Sequence, residues 1–286
     1  MDDAALLQAG AAALLTLAFS WLAGSWCARR WLAAGAVPAG LRHADMAAAV
    51  LALAATLAAM WTATAMMGGL PLAEAGSMLW TMLTSTAHGH AGCVLLLLLL
   101  LLLAVRWTGR GDAVVLALLL AFAAVRASMG HAGEGGYGTV PHVAETVHLL
   151  AIAVWTGVVL VSGWHVLAPG MVPQAAQGYL ERMSLGATLA VVALGATGVY
   201  SAWQRLGGAA PLVHTAYGWT LLAKVALVAV ALALGAWNKY FGLPAASPTA
   251  AGIGTVRRVL RIESVLLLGA VAAAALLTVQ QPPAAM

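Results

Sequence analysis

Six of the eight histidines in this chain, His88, His90, His131, His142, His148 and His214, fall at or beside the same ends of very apolar segments. Met66, Met67, Met78, Met82 and Met129 lie at the same level. Imidazole nitrogen and thioether sulfur make a soft-to-borderline ligand set, suited to copper more than to magnesium or calcium. Polar side chains in a bilayer are costly and persist where something uses or satisfies them. The grouping points to metal handling at one membrane face, if the elements that carry these residues place them there.

Those elements follow from composition. Of 286 residues 63% are hydrophobic and only 8% charged, and the mean hydropathy is +0.95. An average soluble domain is roughly one quarter charged, so a soluble fold is excluded. A spanning helix needs about 20 apolar residues, and eight segments qualify: 4–26, 45–68, 88–106, 112–130, 143–165, 181–204, 216–238 and 259–280. The polyleucine run from Leu95 to Leu103 fixes the third. Connections this short leave no room for a soluble domain. The expected fold is all-α, a polytopic membrane helical bundle of about eight transmembrane helices, with residues 1–286 as one integral membrane domain.

Orientation follows from the positive-inside rule. Arg29, Arg30 and Arg42 occupy the first loop, Arg106 and Arg110 the third, and Lys239, Arg257, Arg258 and Arg261 the seventh, while Arg182 follows the fifth. The opposite loops carry Glu74, Glu134 and Glu145, and among basic residues Arg205 and Arg126. The odd-numbered loops are therefore expected in the cytoplasm and both termini in the periplasm. Asp2 and Asp3 precede the first segment and arginines follow it, the reverse of a cleavable signal peptide, so that helix is expected to be retained. The net charge of +4 reflects these cytoplasmic anchors and contact with anionic lipid. No basic patch is interleaved with exposed aromatics, which leaves nucleic-acid binding without support. Cys27 and Cys93 form no CxxC pair and read as inert thiols.

On this topology the outward face can be read residue by residue. A segment from Leu72 to Thr86, too short to span, carries Met78 and Met82 on one helical face. His88-Gly89-His90 opens the third span. Two residues on a helix turn by about 200°, so the two imidazoles converge only if they precede the first turn; otherwise they are polar residues at headgroup level. The loop Met129-Gly130-His131-Ala132-Gly133-Glu134 is the densest, and Pro141 suits a helix start. His142, Glu145 and His148 step by three along the fifth span, where Glu145 either orients the His148 ring or is solvated at the interface. His148 lies roughly 9–10 Å down that helix, below the headgroups. His142 and His214 read as interface residues, and most tryptophans as an aromatic belt, with Trp155 and Trp203 near enough to the histidine layer to wall a site. Lys224 is expected to be paired or functional, and Glu263 to snorkel about one turn into the eighth span.

The stretch His148-Leu149-Leu150-Ala151-Ile152-Ala153-Val154-Trp155-Thr156-Gly157 resembles the signature helix of the CopD copper-resistance and copper-import membrane proteins. Downstream, Ala196-Thr197-Gly198, Thr215-Ala216-Tyr217-Gly218-Trp219-Thr220-Leu221-Leu222-Ala223-Lys224, Ala236-Trp237-Asn238, Glu263 and Pro282-Pro283 follow in the order of that family. Thr156 departs from it, standing where a second small or aliphatic residue is usual. The resemblance implies an eight-helix protein of the bacterial inner membrane that takes part in periplasmic copper handling and uptake. The positions it matches are His131, His148, Trp155, Tyr217, Lys224, Asn238 and Glu263, with His90 in Gly89-His90-Ala91 matching a subset.

Chemistry and resemblance converge on copper bound at the outer end of the bundle, with His131 and His148 as the core and His90, His88 and Met129 as the next ligands. A periplasmic copper-binding protein is the expected partner besides the ion and the lipid bilayer. Deeper in the membrane, Met60, Trp61 and Cys93 are the soft or polarizable side chains available to a path. No nucleotide-binding motif is present, and a transporter or binding protein is expected rather than an enzyme. The rival from another class is a membrane b-type haem protein, with His148 paired to His90 or His214 around haem b, serving electron transfer or quinol or metal oxidoreduction. His43 and His165 at the cytoplasmic side leave room for a second site there.

Overall fold

The computed structural model describes residues 2–32, 37–108, 111–168, 173–206, 211–246 and 250–280. Arg110, Pro282 and Pro283 of the sequence reading lie outside the described residues, as does the Arg205 side chain. Every regular element among the described residues is helical. In chain order these are α1 (Asp3–Trp31), α2 (Leu41–Gly68), α3 (Gly76–Ser85), α4 (Ala87–Thr108), α5 (Asp112–Ser128), α6 (Val140–Val161), α7 (Pro173–Leu206), α8 (Pro211–His214), α9 (Ala216–Trp237), α10 (Leu243–Ala246) and α11 (Ala250–Thr278). Each of the eight expected segments is one of them. Seven (α1, α2, α4, α6, α7, α9 and α11) are long and apolar enough to cross a membrane. The remaining one, α5, has 17 residues, roughly 25 Å at 1.5 Å per residue, at the short end of what spans.

Local chemistry sets the boundaries. Asp2 caps α1 by accepting the Ala5 N–H at 2.9 Å, and Arg29 and Arg30 close its last turn, both favourable to the helix dipole. Gly69 ends α2 in the left-handed conformation at φ 62°, which a side chain would disfavour. Thr215 caps α9 through Gly218 N–H at 2.9 Å. Both α6 and α9 finish in π-helical turns, Ser162–Val166 and Asn238–Gly242.

The central helix is α1, which packs against α2, α6 and α11. Its contact with α6 is close: a β-carbon on Gly157 would collide with the Ser20 carbonyl, and one on Gly24 with the Gly157 backbone. Small residues that let backbones touch are how helices associate in lipid, where apolar burial alone drives little. Two buried apolar clusters flank α1. One joins Val158 and Val161 of α6 to Tyr179 of α7 and Val256 and Leu260 of α11. The other joins Leu22 to Leu95, Leu99 and Leu102 of α4 and Phe122 of α5. Outward-facing Leu97, Leu100, Val192, Val199 and Trp203 present the apolar surface a bilayer solvates.

Most of the basic residues gather at one end. Asp45, with no exposed surface, takes Arg29 at 2.8 Å, Arg106 at 3.8 Å and the Trp21 indole N–H at 3.2 Å. Arg30 lies 3.9 Å from Asp112, and Arg182 donates to the Trp31 carbonyl at 3.0 Å. Arg257 and Arg261 donate to the Gly163 carbonyl. The outer histidines lie toward the other end, with Arg126 near His88 and Glu145. Glu263 does not snorkel as expected. Because α11 starts at Ala250 rather than near 259, Glu263 stands roughly 20 Å along it and is buried at 2% exposure.

Candidate metal centre

His148 lies on α6 facing α7 and is largely buried. Its Nδ1 is 2.9 Å from Thr197 Oγ1, and its Cε1 lies over Gly198. Thr197 has one hydroxyl proton, which it gives to the Ala193 carbonyl at 2.7 Å. With that proton committed, its oxygen is placed to accept from His148 Nδ1–H, the tautomer in which a metal would use Nε2. No sequence signal announces Thr197 as the partner, since the two residues are far apart in the chain and meet only when α6 packs on α7.

His131 sits on the 3₁₀ turn His131–Gly133 with Nδ1 2.6 Å from Glu134 Oε1. The carboxylate accepts, so Nε2 is again the ring's acceptor. The His131 side chain is 72% exposed, a rim position, whereas His148 lies roughly 12 Å down α6 at 1.5 Å per residue. His90 turns its Nε2 back to the Thr84 carbonyl at 3.0 Å, leaving Nδ1 as the acceptor. His88, half-buried, lies near the Met129 backbone, which places those two candidates together on the α4–α5 side. The set is therefore split between His88 with Met129 on one side, His148 on the other, and His131 on the turn between α5 and α6. Among the described residues no three His, Cys, Asp or Glu side chains come together as a closed metal site.

Several residues stand elsewhere than the sequence suggests. His142 is buried between α5 and α6, not at the interface, with Nε2 donating to the Ala124 carbonyl at 3.0 Å and Nδ1 accepting the Gly138 N–H at 3.5 Å. Both ring nitrogens serve the fold. Cys93 faces outward from α4, because it falls on the opposite side of the helix from Gly92 and Leu95, and is no part of an interior path. Trp203, 80% exposed, walls nothing. Trp61 is partly exposed and donates to the Leu72 carbonyl, so Met60 is the soft side chain of that trio that is buried, its thioether against Gly92 of α4. Met82 of α3 is buried above it. His214 is exposed, as expected. At the other end His43 is exposed on α2, and His165 packs edge-on to Trp21 with ring centroids 4.9 Å apart.

Trp155 is not part of the outer histidine layer. It is buried and donates from Nε1 to Glu263 Oε1 at 3.0 Å, joining α6 to α11. Arg126 of α5 and Glu145 of α6 interact as opposite charges across their interface.

Residues 177–277 match the family model CopD, copper resistance protein D. Tyr217, Lys224, Asn238 and Glu263 lie within the matched region, while the histidine-bearing turn and α6 precede it. No curated protein and no solved structure matches the chain.

Proposed function

We propose, from its copper-resistance-family region and its His/Met face, that this chain binds copper at the periplasmic side of a bacterial inner membrane and passes it inward. His131, His148, His90, His88 and Met129 are the ligands. The observation that supports this is the fixing of one nitrogen in three of these rings by a protein acceptor: Glu134 for His131, Thr197 for His148 and Thr84 for His90. Ligating histidines are held in this way, the far nitrogen bonded so that the near one is presented. Copper(I) is satisfied by two His or Met ligands, so a split set acts as successive stations, His131 at the rim and His148 below, rather than as one closed cage. The task is binding and transfer, not catalysis, and a periplasmic copper-binding protein is the donor or acceptor at the rim. Both termini share that side.

Copper uptake by proteoliposomes tests this. Uptake is expected to be lost in His148→Ala and in His131→Ala and retained in His43→Ala, which changes an exposed residue at the opposite end. Uptake surviving both outer substitutions refutes the ligand assignment. A strong Soret band in the purified protein would replace copper with haem b as the bound group.

A further inference from the structure

The seam between α9 and α11, closed by α6, holds two buried polar side chains that copper binding at the outer face does not use. Glu263 is 2% exposed and Asn238 3%. Glu263 Oε1 accepts the Trp155 indole proton. A β-carbon on Gly235 would stand 3.4 Å from the same oxygen, so the glycine lets the carboxylate lie against α9. Asn238 follows Gly235 by three residues and occupies the next level of the same helix face. Among the described residues neither its Nδ2 nor its Oδ1 has a hydrogen-bond partner. It opens the π-turn Asn238–Gly242, where a β-carbon on Gly242 would come 2.6 Å from Oδ1. The amide thus rests on glycine backbone that a side chain would crowd, and the carboxylate lies in ordinary contact range of α9 at Gly235.

No cation balances the carboxylate among the described residues. The groups facing it are the Trp155 indole from α6 and the backbone of α9 at Gly235. The nearest basic residues on α11, Arg257 and Arg261, turn to the Gly163 carbonyl at 3.3 and 2.9 Å. Ion pairs elsewhere in the bundle do not involve Glu263 from α1 or α7. An ionisable group inside a membrane is costly and marks a pathway or a relay, and an unpaired buried amide adds to the cost. Carboxylate and amide oxygens are hard donors, a poor match for the soft metal of the outer face and a good one for a hard cation.

We propose that Glu263, with Asn238 at the next level of α9, is an intramembrane exchange site for a monovalent hard cation, proton or sodium, whose loading accompanies copper passage. The accompaniment rests on the copper reading above; the exchange site does not. Loaded, the seam is neutral; emptied, it carries a charge held by one indole donor, and these two states give α6, α9 and α11 two arrangements that passage of metal would bias.

Infrared difference spectra of the reconstituted full chain test the site directly, with pH stepped at constant potassium and sodium stepped at constant pH. A carboxyl band is expected to respond to one of the steps and to vanish in Glu263→Gln, which keeps an oxygen for Trp155. Asn238→Leu should shift the midpoint of that response. If Glu263→Gln does not assemble, Glu263→Asp must displace the band; a band left unmoved belongs to another carboxylate and overturns the proposal, as does the lack of any responsive band. Copper uptake under an inward proton gradient, then an inward sodium gradient, tests the coupling and separates the two ions. One gradient should stimulate uptake in the wild type and fail to do so in Glu263→Gln. Uptake indifferent to both gradients overturns the coupling. No uptake at all in the wild type counts against the copper reading, and the infrared result then decides the exchange site alone.

Discussion

Thr197 gives its only proton to Ala193, and that single commitment favours the tautomer of His148 in which Nε2 can meet a metal. Valine has nearly the same shape and no oxygen, so Thr197→Val frees the ring to change tautomer without opening a hole. Copper affinity, measured by competition with a copper(I) chelator, is expected to fall about 10–100-fold, the usual effect of losing such a support. Thr197→Ser should retain affinity, and nitrogen NMR of His148 should lose its fixed Nδ1–H form in the valine variant alone. Equal affinity in all three proteins would separate Thr197 from metal binding. At this scale the sequence was informative about residue type and poor about partners. His148 and Glu263 stand out as polar residues in apolar runs, but Thr197 and Trp155 become their partners only through packing. His142 shows the converse, since a histidine at a helix start reads as interfacial until Ala124 and Gly138 are seen to use both its nitrogens.

Helices were the most legible level, because eight apolar runs bounded by glycine, proline and charge leave few other folds in lipid. Boundaries were less so. The start of α11 at Ala250 adds turns whose Thr255, Arg257 and Arg258 read as loop, and that shift turns Glu263 from a snorkelling residue into a buried one. How the helices pair was not legible, since glycine contacts exist only after docking. Gly157 illustrates the consequence: the α1 backbone occupies the place of its missing β-carbon. Gly157→Ala must push α1 and α6 apart and is expected to destabilise the protein by about 2 kcal/mol or more, as overpacking does. Gly10→Ala on α1 meets open space and should be neutral or gain up to about 1 kcal/mol from helix propensity. Thermal unfolding of both variants in detergent measures the contrast, and similar melting temperatures would contradict the close crossing.

Across the whole molecule, the two ends differ in chemistry. One is tied by guanidinium groups around the buried Asp45 and the Gly163 carbonyl. The other carries histidines and thioethers whose ring protons are assigned by neighbours. Between them lie Glu263 and Asn238, a buried carboxylate and a buried amide. Under the proposed function such a molecule receives a soft ion at one face, which that proposal assigns to the periplasm on the positive-inside pattern. Anaerobic copper(I) titration with X-ray absorption on the loaded protein tests that claim most directly. The account predicts copper bound through imidazole nitrogen with a thioether contribution, and loss of that binding in the His131→Ala, His148→Ala double variant. Copper bound with undiminished affinity and an unchanged spectrum in the double variant would contradict it.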